Sequence, residues 1–325
     1  MNILAVDDDP LVLDLLPVIF QQAKFPNISV ADSGAAALEK LNDPEAHYDC
    51  LLLDIEMPNM NGIALCQLIR ELPRYANTPI LMLTSVTDHD RIERAFSAGA
   101  SDYITKPFDV KDIATRVRIA ERMSENLAVP GHFDAQDLPA NTPVGKHPFD
   151  IFDPLCLARI PQLILPFSLG NYLSQLSRVR IDTCEVFAVR LDEVSDLYMR
   201  SNTREFVTAL SEAAEAIVKV VNLPNMLMAY EGNGNFLCIT QGSQAPEWPG
   251  VEADIQDVLS QSTATYDDGT PMKLSVTVGN PITPFASRTQ RVKKTFERAA
   301  ERAAMREKSK RAQARKGADT LQGAT

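Results

Sequence analysis

The sequence predicts two α/β domains: an N-terminal doubly wound five-stranded parallel sheet, then a C-terminal domain whose sheet is partly antiparallel. Three observations carry this. Residues 2 to 123 alternate a short apolar run with an amphipathic segment five times, and repeated strand–helix units build a parallel sheet covered on both faces. The runs are continuously apolar, as in Leu51–Leu53 and Ile80–Leu83, which is the pattern of strands buried on both sides. Further on, "MLMAYEGNGNFLCIT" places two strand-like runs around a Gly/Asn turn, a hairpin signal.

In chain order, strand-like runs "NILAV", "ISVAD", "DCLLLD", "PILMLTS" and "DYIT" alternate with "LVLDLLPVIFQQA", "GAAALEKL", "GIALCQLIREL", "DRIERAFSAG" and "VKDIATRVRIAERM", whose apolar residues recur at helical spacing. Pro17 falls inside the first helix and is expected to kink it at a cost of roughly 3 kcal/mol. Residues 125–150 are rich in Pro, Gly and polar residues and read as a linker. Beyond it, "LARIPQLIL" and "LGNYLSQLSRV" look helical, and "CEVFAVRL" and "KLSVTVG" look like strands. "REFVTALSEAAEAIVKVVN" and "VEADIQDVLSQS" look helical, and a charged helix begins near Arg288. The expected division is a first domain at 1–124, the linker at 125–150, a second domain at 151–310 and a disordered basic tail at 311–325.

Composition narrows the class. No run of 18 apolar residues occurs, and the N-terminus "MNILAVDDDP" carries acids where a signal peptide needs a basic flank. A cytoplasmic protein without a transmembrane segment is the expectation. Five cysteines without CxxC spacing fit reduced buried thiols rather than a disulfide frame or zinc site. The net charge is −11, yet residues 288–316 hold 12 Lys and Arg against 3 Glu. So acidic a body argues against a nucleic-acid surface on the domains and leaves the tail as an electrostatic contact.

In a doubly wound sheet, functional groups collect beyond the carboxyl ends of the strands. Asp7 and Asp8 follow the first strand, Asp54 the third, Thr84 the fourth and Lys106 the fifth. Three carboxylates brought together repel one another unless a cation joins them, and an all-oxygen set suits Mg²⁺. With Lys106 and the Thr84 hydroxyl opposite, such a pocket suits phosphoryl transfer to an aspartate oxygen. Asp9 reads as a solvated loop carboxylate.

"ILAVDDDP", "LLLDIEMPNMNG", "LMLTS" and "DYITKPF", in this order and spacing, resemble the receiver domain of bacterial response regulators. The resemblance covers Met1 to about Ser124. It implies that Asp54 is the phosphoacceptor, Asp7 and Asp8 the acidic pair, and the carbonyl of Glu56 a further Mg²⁺ ligand. It also makes Thr84 the switch hydroxyl, Tyr103 the switch aromatic and Lys106 the phosphate-sensing lysine, with a cis Lys106–Pro107 bond. The implied donor is a histidine kinase or phosphotransfer protein. The implied output face is the fourth helix, fifth strand and fifth helix, often a homodimer contact.

The second half resembles, over about Leu165 to Lys310, the diguanylate cyclase (GGDEF) family, on "VFAVRLDEV", "YEGNGNFLCI", "LSVTVG" and "RVKKTFERAAERAA". The family's Gly-Gly-Asp-Glu-Phe turn, which holds GTP, corresponds to Gly232, Asn233, Gly234, Asn235 and Phe236. Gly234 and Asn235 replace the acids, and Arg190 replaces the upstream strand acid, though Asp192 remains. Leu223 and Met226 replace the Arg and Asp of the product-binding motif. Neutral side chains cannot hold Mg²⁺ against a triphosphate. The expectation is a catalytically inactive, GGDEF-like output domain that signals to an unidentified downstream protein. The turn is either a tight hairpin alone or one that still admits a phosphate at Gly232. Two alternatives stay open: a nucleotide-binding or weakly active cyclase, and a transcriptional regulator touching DNA through the tail.

Overall fold

The computed structural model describes residues 1–85, 89–126, 132–223, 225–242, 250–285, 287 and 290–322. The chain divides into two units, Met1–Pro130 and Gly131–Thr325.

The first unit runs β1 (Ile3–Val6), α1 (Pro10–Gln22), β2 (Ile28–Ala31), α2 (Gly34–Asn42), β3 (Cys50–Asp54), α3 (Gly62–Glu71), β4 (Ile80–Thr84), α4 (His89–Ser97), β5 (Asp102–Thr105) and α5 (Val110–Asn126). All five strands pair parallel in the order β2-β1-β3-β4-β5. Successive side chains of a strand face opposite layers, so each apolar run feeds two cores. Leu4, Val6, Leu51, Leu53 and Met82 pack with α2, α3 and α4. Ile3, Ala5, Leu52, Leu81, Leu83 and Ile104 pack with α1 and α5. Each such fully buried side chain contributes roughly 1.5–3 kcal/mol. The helix α1 continues through Pro17 and buries Leu16, Ile19 and Phe20.

The second unit adds β6 (His132–Phe133), β7 (Cys156–Leu157), α6 (Pro166–Gln175), α7 (Arg178–Asp182), β8 (Cys184–Leu191), α8 (Val194–Arg200), α9 (Thr203–Val221), β9 (Leu227–Gly232), β10 (Asn235–Gln241), α10 (Val251–Ser260), β11 (Val276–Val278) and α11 (Arg291–Gln322). Its main sheet, β11-β8-β10-β9, is antiparallel at every pairing. From β8 to β11 the element order is β-α-α-β-β-α-β, a split β-α-β-β-α-β with the short α8 inserted before α9. Phe187, Val189, Met228, Tyr230 and Phe236 meet α9 and α10 in one core. The helices α6 and α11 lie over the other face. The start of α9 is set by a capping box: the Glu205 N–H donates to Asn202 Oδ1 at 3.0 Å and the Asn202 N–H to Glu205 Oε2 at 2.8 Å. The five cysteines are free and buried, and no described helix is long and apolar enough to cross a membrane.

Three expectations need correction. Of the linker at 125–150, residues 127–131 lie outside the described ones, but from His132 the segment belongs to the second unit. Strand β6 pairs with β7, and Phe133, Leu138 and Phe149 pack on the core; apolar anchors spaced irregularly in a polar stretch tie it down. "LARIPQLIL" is not a helix. Pro161 cannot donate to a helical ladder, and the run lies along β9 instead, with Ile164 N–H donating to the Met228 carbonyl and Met228 N–H to the Gln162 carbonyl, both at 2.8 Å. The tail from residue 311 is helical through Gln322. On α11, Arg306 meets Glu252 at 2.8 Å and Lys310 meets Asp192 at 3.1 Å, which anchors the helix short of that end.

Candidate functional site

The carboxyl ends of β1 and β3, where strand order reverses, hold the acids. Strand β3 is buried at all five positions, so Asp54 is delivered to the pocket on a rigid support. The chain then turns through Pro58 and Asn59, whose φ of 63° is left-handed, and returns so that the Gly62 N–H donates to the Ile55 carbonyl at 3.1 Å. Glycine is required there, because a Cβ on Gly62 would stand 2.0 Å from the Asp54 carbonyl oxygen. Gly62→Ala is therefore expected to destabilise the first unit by about 1–3 kcal/mol and to displace Asp54. Thermal unfolding with amide NMR of the Asp54–Glu56 segment checks this; unchanged shifts would show the clash is absorbed elsewhere.

Asp7 is fully buried and Asp54 nearly so, whereas Asp8 is exposed. One carboxylate oxygen from each lies within 4.8 Å of the others, the one such acidic group of three among the described residues. Lys106 Nζ bridges them, at 2.6 Å from Asp7 Oδ2 and 2.8 Å from Asp54 Oδ1. The Glu56 N–H donates to Asp54 Oδ2 at 3.0 Å, so each Asp54 oxygen has one donor. Burial pushes the Asp54 carboxyl up to about 6, with Lys106 and the Glu56 N–H pulling it down and Asp7 pushing it up. Burial works against the Lys106 ammonium too, but the two carboxylates more than offset it and hold its pKa above the ordinary value.

Thr84 ends β4, buried, and its carbonyl accepts from the Lys106 N–H at 2.7 Å. The Lys106–Pro107 peptide is cis. Tyr103 is half-buried on β5, edge-on to Phe96 at 6.4 Å, with the Arg116 guanidinium 5.9 Å from its ring centre. Arg116 in turn meets Asp102 at 2.8 Å and Asp112 at 3.1 Å. Two roles were not read from the sequence. Asp9, read there as a solvated loop carboxylate, is exposed but also caps α1, accepting from the Leu11 N–H at 2.9 Å, a role signalled by Pro10 at the helix start. The Glu56 side chain pairs with Arg91 on α4 and accepts from Ser85 Oγ at 3.2 Å, a contact only the fold creates.

In the second unit, Gly232, Asn233 and Gly234 take φ of 98°, 49° and 76°, which Gly and Asn allow. Phe236 is buried against Tyr230, whose hydroxyl accepts from the Gly234 N–H at 3.1 Å. One side of the turn is covered by its own chain. The Asn233 N–H donates to the Ile151 carbonyl at 2.6 Å, and a Cβ on Gly232 would stand 2.3 Å from the Phe152 carbonyl oxygen. The Cβ side of Gly232 thus holds a carbonyl, while the turn also borders an open cavity. Arg190 donates to Asn235 Oδ1 at 3.0 Å and meets Glu307 at 2.6 Å. Asp192 accepts from the Ser275 and Thr277 hydroxyls at 2.7 Å each and pairs with Lys310. Leu223 is half-buried against the core and Met226 is buried in it.

A parallel sheet in the order 2-1-3-4-5 with acids and a lysine at its carboxyl-terminal crevice defines a flavodoxin-like doubly wound domain. The first unit is a response regulator receiver domain: residues 3–118 match the family model "Response regulator receiver domain". Over 129 residues the chain is 35% identical to the DNA-binding dual master transcriptional regulator RpaA of Synechocystis sp., covering 39% of this chain and 51% of that protein. Over 125 residues it is 36% identical to the DNA-binding response regulator MtrA of Mycolicibacterium smegmatis, covering 38% and 52%. The match thus spans about half the length of these relatives. The solved structure of the Vibrio cholerae chemotaxis protein CheY4 is 28% identical, covers 37% of this chain and 97% of that one, and gives a TM-score of 0.35.

Proposed function

We propose that the chain is a two-component response regulator that takes a phosphoryl group on Asp54 from a histidine kinase or phosphotransfer protein and signals through its second unit by protein contact. One observation carries the first half: a buried aspartate with Lys106 at 2.8 Å and Asp7 and Asp8 beside it. An Asp54 oxygen attacks phosphorus, the phosphorus–nitrogen bond to the donor imidazole breaks, and its electron pair stays with the leaving imidazole. Lys106 offsets the charge arriving in the pocket. The donor set is all oxygen and more negative than one ammonium can balance, which fits a hard divalent ion. Asp7, Asp8, Asp54 and the Glu56 carbonyl would hold Mg²⁺, whose chemistry there is charge neutralisation on the phosphoryl oxygens. The phosphorylated side chain gains a charge of about −1.5 to −2. Drawing Thr84 and Lys106 toward it leaves Tyr103 room to turn against Arg116 and repack the face of α4, β5 and α5, where a homodimer contact also falls.

What supports an output without nucleotide turnover is the signature turn, with Arg190 and Asn235 where metal-holding acids would be needed and the chain's own carbonyls against Gly232. The names RpaA and MtrA favour a second reading, DNA contact through the basic helix. Against it, four of that helix's cations are already engaged: Arg302 with backbone carbonyls, and Arg306, Lys310 and Arg311 with Glu252, Asp192 and Glu307. The test is incubation of the full chain with Mg²⁺ and a small phosphoryl donor, followed by reductive labelling and peptide mapping, with GTP turnover assayed in parallel. Label on Asp54 and no cyclic dinucleotide is the expected result. Label elsewhere, or turnover, overturns it.

A further inference from the structure

At the hairpin end of the second sheet, where the β9–β10 register shifts, Tyr230 and Phe236 belong to the α9 core, while Glu231 and Asn235 line a cavity. Asn235 is engaged by Arg190, and Arg190 by Glu307. Glu231 is different. It is half-buried, and among the described residues no hydrogen bond or ion pair reaches its carboxylate. Burial alone pushes that carboxyl above the ordinary range.

A cavity of about 400 Å³ opens beside it, lined by Phe152, Pro154, Pro166 and the turn residues Gly232, Asn233 and Asn235 together with Glu231. Phe152 is 68% exposed, a large aromatic ring left in solvent at the cavity wall. The backbone that carries it is held: the Phe152 N–H donates to Asp150 Oδ1 at 3.0 Å, and the Ile151 carbonyl accepts from the Asn233 N–H. The cavity therefore presents one uncompensated carboxylate and an exposed aromatic ring. Both attract a cation, the ring through its quadrupole, and the carboxylate repels a phosphate. The flat proline walls match the stem and plane of a guanidinium better than a hydrated metal ion.

We propose that this cavity binds a guanidinium or ammonium group, taken from an arginine or lysine side chain of a partner protein. Glu231 supplies the counter-charge, Phe152 stacks on the cation, and the amide oxygen of Asn233 orients it. The assignment stands apart from the receiver chemistry: the site is preformed and needs no phosphorylation.

Calorimetric titration of the full chain with a blocked Gly-Arg-Gly peptide tests it, alongside the same peptide with citrulline for arginine and free arginine amide. The expected result is saturable binding of the arginine peptide, at least about tenfold weaker with citrulline or in Glu231→Gln, as loss of one part-buried charge pair implies. Phe152→Ala, an exposed position, should keep the fold and weaken binding severalfold. Equal binding to Glu231→Gln, or no saturable binding of the arginine peptide, overturns the site. Arginine amide binding as tightly as the peptide overturns the protein partner in favour of a free amine.

Discussion

Asp54→Asn is expected to abolish uptake of phosphoryl groups and of beryllofluoride, while raising the melting temperature of the first unit in EDTA. The two effects share one cause. An amide oxygen is no nucleophile toward phosphorus, so uptake fails outright. Stability moves the other way because the fold holds this carboxyl at about 6 against an ordinary 3.8, so the charged form is disfavoured on folding. At neutral pH that amounts to roughly 3 kcal/mol, at ~1.4 kcal/mol for each tenfold in proton affinity. Because the shift is upward, the penalty is absent below the unfolded value and complete above the folded one. The wild type should accordingly lose stability between about pH 4 and pH 6 relative to the variant, and Mg²⁺ should restore it. Paired thermal melts across that range decide; parallel curves would mean that Lys106 already compensates the charge.

Lys106→Ala should separate acceptance from response. Its ammonium reaches Asp7 and Asp54 from β5 while its backbone N–H is tied to the Thr84 carbonyl, so it joins the pocket to the β4 and β5 strand ends. Without it Asp54 still accepts phosphate, more slowly, and Mg²⁺ binds more tightly because a competing cation is gone. What should vanish is the change at Tyr103 and along α4 and α5. Hydrogen exchange with and without beryllofluoride reads this out; protection changes as large as those of the wild type would reduce Lys106 to a structural cation.

The sequence made the first unit legible because its signals are local. An unbroken apolar run needs two covered faces, and an acid followed by Pro, Asn and Gly can only be a strand end and a turn. The residues whose partners lie nearby in sequence, or along one strand end, were therefore readable. Those with distant partners were not. Arg306 and Lys310 read only as part of the basic stretch at 288–316 because their acceptors, Glu252 and Asp192, are contributed by α10 and by the residue after β8. Phe133 and Phe149 looked like isolated residues in a connector because nothing local says that they meet each other, or that Phe149 meets Tyr198 and Phe206. Glu231 was invisible as a candidate: in a strand it is one more alternating polar residue, and only the missing partner distinguishes it.

The weaving of residues 132–164 into the second unit limits how this protein can be cut or recombined. That stretch contributes a β6–β7 pair, aromatic packing and the backbone that closes the hairpin. A fragment starting at residue 150 would open a hole where Phe133 and Phe149 belong and strip the pairing from Cys156. The natural seam is the short interval between Asn126 and His132, so a chimera joining a different first unit to this second unit should join there.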